Sequence, residues 1–446
     1  MTILFSQKLP EPKLRFDYAL KTQVSGTSFD GFKQFGPYDK NQPRKSFIRC
    51  VILYPRTASV EMRKIKTALV SGMFFFKGFK AFSRGVTISA LEEIPLNCTP
   101  DEPLDKQANA YRKAIRDLPS DATPDLIIAL IPHTPRYLLD TPYYTAKIEA
   151  SARGIPCQLL TLERLRTDES LKWSLANIGL QIYAKLGNVP WVVETPDSPN
   201  DMIVGIGRRE VRAGRIGALK RYMGFTTAYK NNGAFLTFQG LAPVGSEDDY
   251  CSQLSNAVES ALRQFQLTSK KCPDRVVFHS FKKIGDQEIT ALEEGIANAT
   301  DKATALPYAL VHIDEFGNFL LFDGDHKTYL PSSGYAVGLG ALQGLLMTEG
   351  NERYERRKMG FPTPLIVRLD QRSKLGETNH AQVFSDLLYQ VFSLSKVNWR
   401  GFNAAAIPVT LNYSRLIADL VASCRDTDLW AQISEATGLR NKAWFL

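Results

Sequence analysis

The stretch Thr141 to Leu165, TPYYTAKIEASARGIPCQLLTLERL, runs helix, turn and strand in quick succession. Tyr143 to Arg153 reads as a helix, Gly154-Ile155-Pro156 as the turn that stops it, and Gln158 to Leu162 as a β-rich run. The same grammar holds on either side. Other short β-rich runs lie at Ile48 to Tyr54, Val86 to Ala90 and Leu126 to Ile131. Helical stretches lie near Val60 to Phe79, Pro103 to Arg116 and Leu171 to Leu186. Strands that alternate with helices call for a parallel sheet covered on both faces, so an α/β, Rossmann-like domain is expected over residues 46–193.

Upstream, residues 1–45 are polar and proline-punctuated, and are expected to form an extended arm into that domain. Downstream, the polar WVVETPDSPN phrase at Trp191 to Asn200 marks a boundary, and residues 194–446 are expected to form a second domain. Its grammar differs. Met202 to Ile206 is a strand, and Phe225 to Tyr229 and Ala234 to Gly240 flank Asn231-Asn232-Gly233, a hairpin signal. Helices at Tyr250 to Phe265 and Asp286 to Asn298 then alternate with a strand at Arg275 to His279. A strand at Leu365 to Leu369 and helices at His380 to Leu394 and Tyr413 to Cys424 close the chain. That order suits a mixed sheet of ribonuclease H type.

With 446 residues, two domains are the natural partition, and 44% hydrophobic against 23% charged residues excludes disorder. A net charge of +9 favours a polyanionic partner, weakly until the charges are seen to cluster. Cys50, Cys98, Cys157, Cys251, Cys272 and Cys424 include no CxxC pair and read as reduced thiols. MTILFSQKLPEPK has no apolar signal run, and Ala68 to Phe76 is too short to span a bilayer, so the expected location is cytoplasmic, without a membrane.

Tyr143 and Lys147 are four residues apart and share one face of their helix near its N-terminal end, where free N–H groups favour an anion. Tyr143 offers a ring and a hydroxyl, Lys147 a charge, and Gln158 an amide after the turn. Lys185 ends a later helix that Gly187 terminates. Singly, each has a plain explanation. Lys185 complements its helix dipole, Tyr143 packs half-buried, and Gln158 is an ordinary surface residue.

In that order and spacing the four resemble the short prokaryotic Argonautes, whose MID domain holds a guide 5′-phosphate with a Tyr–Lys–Gln–Lys set. The resemblance runs from FGPY at Phe35 to the last residue, through DMIVGIGRREV from Asp201 and LSKVNWRGFNAAAIPVTLNYSRLIA from Leu394. It implies a MID domain followed by a ribonuclease H-like PIWI domain. Tyr143, Lys147, Gln158 and Lys185 are then the 5′-phosphate set. Gln158 and the terminal carboxylate of Leu446 would hold Mg²⁺ or another divalent cation at the guide 5′ end. The apolar ending Ala443-Trp444-Phe445-Leu446 suits a tail tucked between domains, although docking for stability alone explains it too.

The resemblance also says where a cutting relative carries its acids, which hold two metal ions for in-line displacement. Gly207 stands at the first position, Phe281 at the second and Arg415 at the third. No nuclease activity is therefore expected. Asp314, Asp323 and Asp325 sit among loop glycines and read as turn formers. Arg208, Arg209, Arg212 and Arg215 come just after Gly207; such a run is commonly a solvated loop, and here contact with guide or target backbone is expected. The implied role is guide-dependent binding, of guide RNA and target DNA, as the sensor half of a prokaryotic immune complex. The partner would be an APAZ-domain protein fused to a TIR, sirtuin or nuclease effector, with a higher oligomer on activation. The alternative is a stand-alone binder that blocks its target. A nucleotide-binding Rossmann enzyme fits poorly, since Pro55-Arg56-Thr57-Ala58 follows the first strand without a glycine, and the five histidines show no metal-ligand spacing.

Overall fold

The computed structural model describes residues 6–446 except 20–21, 136–137, 196–198, 213–218, 245–246, 301–305, 352–359, 377–378, 403–406 and 425–426; side chains at 208–229, 235–248 and 427 are also outside the description.

Residues such as Cys50 to Leu53 and Leu126 to Ile131 are apolar in unbroken runs, as strands buried on both faces must be. They build a parallel sheet in the order Thr87–Leu96, Phe47–Pro55, Leu126–Ile131, Cys157–Thr161. The helices Ser59–Val70 and Asp168–Lys185 cover one face, and Leu104–Arg116 with Pro142–Ala152 cover the other. The long helix expected near Val60 to Phe79 instead stops at Val70. Gly72 and Gly78 there take φ of +94° and +85°, which a helix cannot accommodate, and a separate turn forms at Phe79–Phe82.

The second sheet has nine strands and is mixed. Met202–Arg212, Leu219–Lys230 and Phe235–Val244 form an antiparallel meander, and Val276–Ser280 lies parallel between Met202–Arg212 and Tyr308–Asp314. The hairpin turn is at Asn231 to Gly233, with Gly233 at φ +78°. Alternation sorts the strand residues. Met202, Val204 and Ile206 pack beneath Glu247–Ser269 and Asp286–Ala299, while Gly205 and Gly207 lie on the opposite face, toward Val409–Ser423.

The arm is more than an extended lead-in. Ser6–Lys8 joins the nine-stranded sheet as an edge strand on Tyr335–Gly340, and Leu14–Arg15 pairs with Val192–Val193. Ser28–Phe35 is a helix whose N-cap Thr27 accepts from the Asp30 amide. Phe16, Phe32, Trp191, Leu180 and the final residues Trp444 and Phe445 lie in one continuous core, so arm and both domains share apolar packing. All six cysteines are free thiols. No helix among the described residues is long and apolar enough to cross a membrane.

Candidate nucleic-acid interface

Three elements carry the predicted phosphate set to one place. Lys147 projects from Pro142–Ala152, Gln158 from the start of Cys157–Thr161, and Lys185 from the last turn of Asp168–Lys185. All three are buried, as is the chain's final residue, Leu446. The Lys185 ammonium donates to Gln158 Oε1 at 3.0 Å and to the Leu446 oxygen; the Lys147 ammonium donates to the same Leu446 oxygen at 3.2 Å and to the Phe445 carbonyl. Tyr143, half-buried, lies one turn from Lys147, its ring centroid 6.0 Å from the ammonium. Its role as a stacking platform has only that proximity in its favour.

The electrostatics follow from the burial. Desolvation pushes Lys185 well below the ordinary lysine range, and the like charges of Lys147 and Arg400 push it the same way. Two lysines held out of water with one oxygen between them form a site that gains from a further anion. Thr141, the N-cap of the same helix, is buried, and its hydroxyl has no partner among the described residues.

The second constellation is on the nine-stranded sheet. A Cβ added to Gly207 would lie 2.4 Å from both the carbonyl carbon and the oxygen of Ser414, and 2.7 Å from the Arg415 nitrogen. No side chain fits there unless Val409–Ser423 moves. The Arg415 guanidinium sits 5.6 Å from the Phe281 ring centroid and pairs with Glu315 at 2.6 Å. Asp314 and Asp323 each accept from the amide two residues on, Phe316 and Asp325, as turn formers do. Among the described residues no group of three His, Cys, Asp or Glu side chains is placed to hold a metal.

Comparison with known proteins assigns the family. The profile of the Piwi domain matches residues 127–425, more than half of the sequence. The chain belongs to the Piwi family. Among relatives, an argonaute of Cereibacter sphaeroides is 24% identical over 445 residues, covering 93% of this chain and 56% of that protein. A Piwi protein of Archaeoglobus fulgidus is 25% identical over 322 residues, covering 69% of this chain and 72% of that protein. Among solved structures, Drosophila Piwi aligns with TM-score 0.68 at 15% identity over 99% of this chain and 56% of its own. Clostridium butyricum Argonaute, bound to a guide DNA and a 19-mer target DNA, aligns with TM-score 0.67 at 18% identity over 94% and 53%. At these identities the structural likeness shows the fold alone, a Piwi, ribonuclease H-like mixed α/β architecture. This chain spans about half the length of several of these relatives.

Several residues that position the Piwi chain's pocket gave no sequence signal. Gln181 accepts from the Gln158 amide at 3.0 Å and donates to the Arg400 carbonyl at 2.8 Å, tying the amide to the second domain. Across the same boundary the Trp191 indole N–H donates to the Lys396 carbonyl and the Trp399 indole N–H to the Trp191 carbonyl, both at 3.1 Å. Such residues are found by partner geometry, which only a fold supplies.

For a divalent cation at the guide end, the relevant observation is that Gln158 Oε1 and the Leu446 oxygen share one ammonium and so face a common point. An amide and a carboxyl oxygen are hard donors of the kind Mg²⁺ takes, with phosphate and water completing the shell. The Lys185 ammonium takes the point between them, so Gln158 and Leu446 would hold such an ion only with that ammonium displaced. The basic run differs from a loop: Arg208 to Arg212 continue the strand Met202–Arg212, paired with Leu219–Lys230, while Arg215 and the side chains of Arg208, Arg209 and Arg212 lie outside the described residues.

Proposed function

We propose that this chain grips the 5′-phosphate of a guide strand and uses the guide to find complementary nucleic acid, which it does not cut. The observation that supports the reading is the convergence of Lys147 and Lys185 on one buried Leu446 oxygen, with Gln158 accepting from the second ammonium. Lysines separated widely in sequence are brought out of water together at a cost that a phosphate offsets. Absence of cutting is inferred from Gly207, where no carboxylate has room, and from Arg415, which occupies the expected position of a third acid. Sequence is then read by pairing with the guide, and the protein contacts backbone. An RNA guide, a DNA target and an APAZ-effector partner in prokaryotic defence extend the reading on the strength of family resemblance, and co-purification from the native cell identifies them.

The test compares 5′-phosphate with 5′-hydroxyl oligonucleotides. With each charged contact worth about 1.5–3 kcal/mol, the Lys147→Ala, Lys185→Ala double variant should bind the phosphorylated strand at least about a hundredfold more weakly. Thermal unfolding of the same variant verifies folding. Equal affinity of the parent for both oligonucleotides removes the pocket's role. A labelled target that is cleaved by guide-loaded protein in Mg²⁺ or Mn²⁺ removes the non-cutting clause alone.

A further inference from the structure

A cleft of about 1650 Å³ opens between the arm, the first domain and the second. Its wall includes Trp173, on the same helix as Lys185 but about 18 Å back along the axis, and none of Lys147, Gln158, Lys185 and Leu446 lines it. The volume exceeds what a single small ligand fills, which points to an extended occupant.

Two aromatic rings stand into solvent at its mouth, Phe75 at 79% and Trp173 at 66% exposed. The Lys172 ammonium lies 5.2 Å and 5.1 Å from their centroids and 4.0 Å from the exposed Glu169, which also accepts from the Trp173 indole at 2.6 Å. Lys33, Lys77 and Arg84 also line the cleft and form no ion pair among the described residues. The lining acids are fewer: Glu11, already paired with Lys396 at 2.7 Å, Asp30, which accepts from the Thr27 hydroxyl at 2.7 Å, and Glu349. An excess of cations beside solvent-exposed aromatic rings is the combination that single-stranded nucleic acid selects. A polypeptide interface would deplete lysine at its centre. A duplex has no free base face to offer a ring.

We propose that this cleft is a second nucleic-acid site, which takes an unpaired strand irrespective of its 5′ end. Bases stack on Phe75 and Trp173, while Lys33, Lys77, Arg84 and Lys172 neutralise phosphates. The proposal stands apart from the guide pocket and survives that pocket's failure.

The protein carries its own reporter. Of its five tryptophans, Trp191, Trp399, Trp430 and Trp444 are at most 2% exposed, so Trp173 alone faces solvent. Titration of the full chain with 5′-hydroxyl oligothymidylate should quench tryptophan fluorescence saturably, and Trp173→Phe should abolish the quench. By anisotropy of labelled oligonucleotide, Trp173→Ala and Phe75→Ala should each weaken binding about tenfold. The logarithmic salt slope should be about −3, as four neutralised phosphates of a single strand imply. Lys147→Ala, Lys185→Ala should leave the quench unchanged. No saturable quench, equal response to duplex and single strand, or response only to a poly-glutamate peptide of equal charge each overturns the proposal.

Discussion

Replacing Gly207 with alanine adds one methyl group where the structure has closed all space. The new Cβ would stand 2.4 Å from the Ser414 carbonyl, against 3.4–4 Å for ordinary contact, so about 1 Å of movement is required. The obstacle is main chain in a buried helix and cannot rotate aside. Val409–Ser423 is also fastened, by the Thr410 hydroxyl to His279 Nδ1 at 2.9 Å and by the Tyr413 hydroxyl, which accepts from the Trp399 amide at 2.9 Å. The cost therefore belongs at the upper part of the overpacking range, about 2–3 kcal/mol, which corresponds to a fall in Tm of about 4–12 °C. Differential scanning calorimetry of Gly207→Ala beside Gly324→Ala, whose Cβ would meet nothing within 4 Å, supplies the measurement and its control. Gly207→Asp should lose more and gain no cleavage in Mg²⁺ or Mn²⁺. A Gly207→Ala protein that melts within about 1 °C of the parent refutes the claim that packing has sealed the acid's position.

Two buried groups give opposing pH dependences. Burial raises the Asp39 carboxyl to about 6 although Tyr183 and Val189 donate to it, so its contribution is full below the unfolded value of 3.8 and is lost as pH rises through about 6. Burial lowers His279 to about 3, so its contribution is full above the unfolded 6.5 and is lost as pH falls. Between these values the two slopes counter each other. Calorimetry from pH 4 to about 6.5 should show Asp39→Asn losing stability more steeply on acidification than the parent, and His279→Leu gaining; identical profiles for all three would contradict both assignments. Trp399→Phe leaves the buried Trp191 carbonyl without its donor and should cost about 1–3 kcal/mol by urea unfolding, with no change expected if water replaces the indole.

The first sheet was legible because its strands are continuous apolar runs and its turns carry glycine and proline; Leu126–Ile131 was read to the residue. The lysine pocket was legible only through order and spacing matched to a family, since each member alone has an ordinary explanation. The arm's helix was missed. Its eight residues, SFDGFKQF, carry Phe29, Phe32 and Phe35 at three-residue spacing, but two turns are too short a run to mark a helix alone, and Phe32 is buried by rings from elsewhere, Phe82, Trp191 and Phe402. The strand through Arg208 to Arg212 was missed because cations suppress the alternation by which strands are recognised, and ladder pairing with Leu219–Lys230 overrides it. Gly207 was noticed as a missing acid, but nothing in a string of letters reveals that a carbonyl lies against it.

Ser6 faces Val337 across the outermost pair of the large sheet, and Leu9 bonds to Gly334 at 2.9 Å. During synthesis this segment must wait, unpaired, until Tyr335–Gly340 has emerged, about three quarters of the way along the sequence. Its late return caps a ladder of bare amides that would otherwise invite another molecule to add a strand. Removal of residues 6–8 should thus cost little heat of unfolding and yet promote self-association, a defect of solubility before it is one of stability.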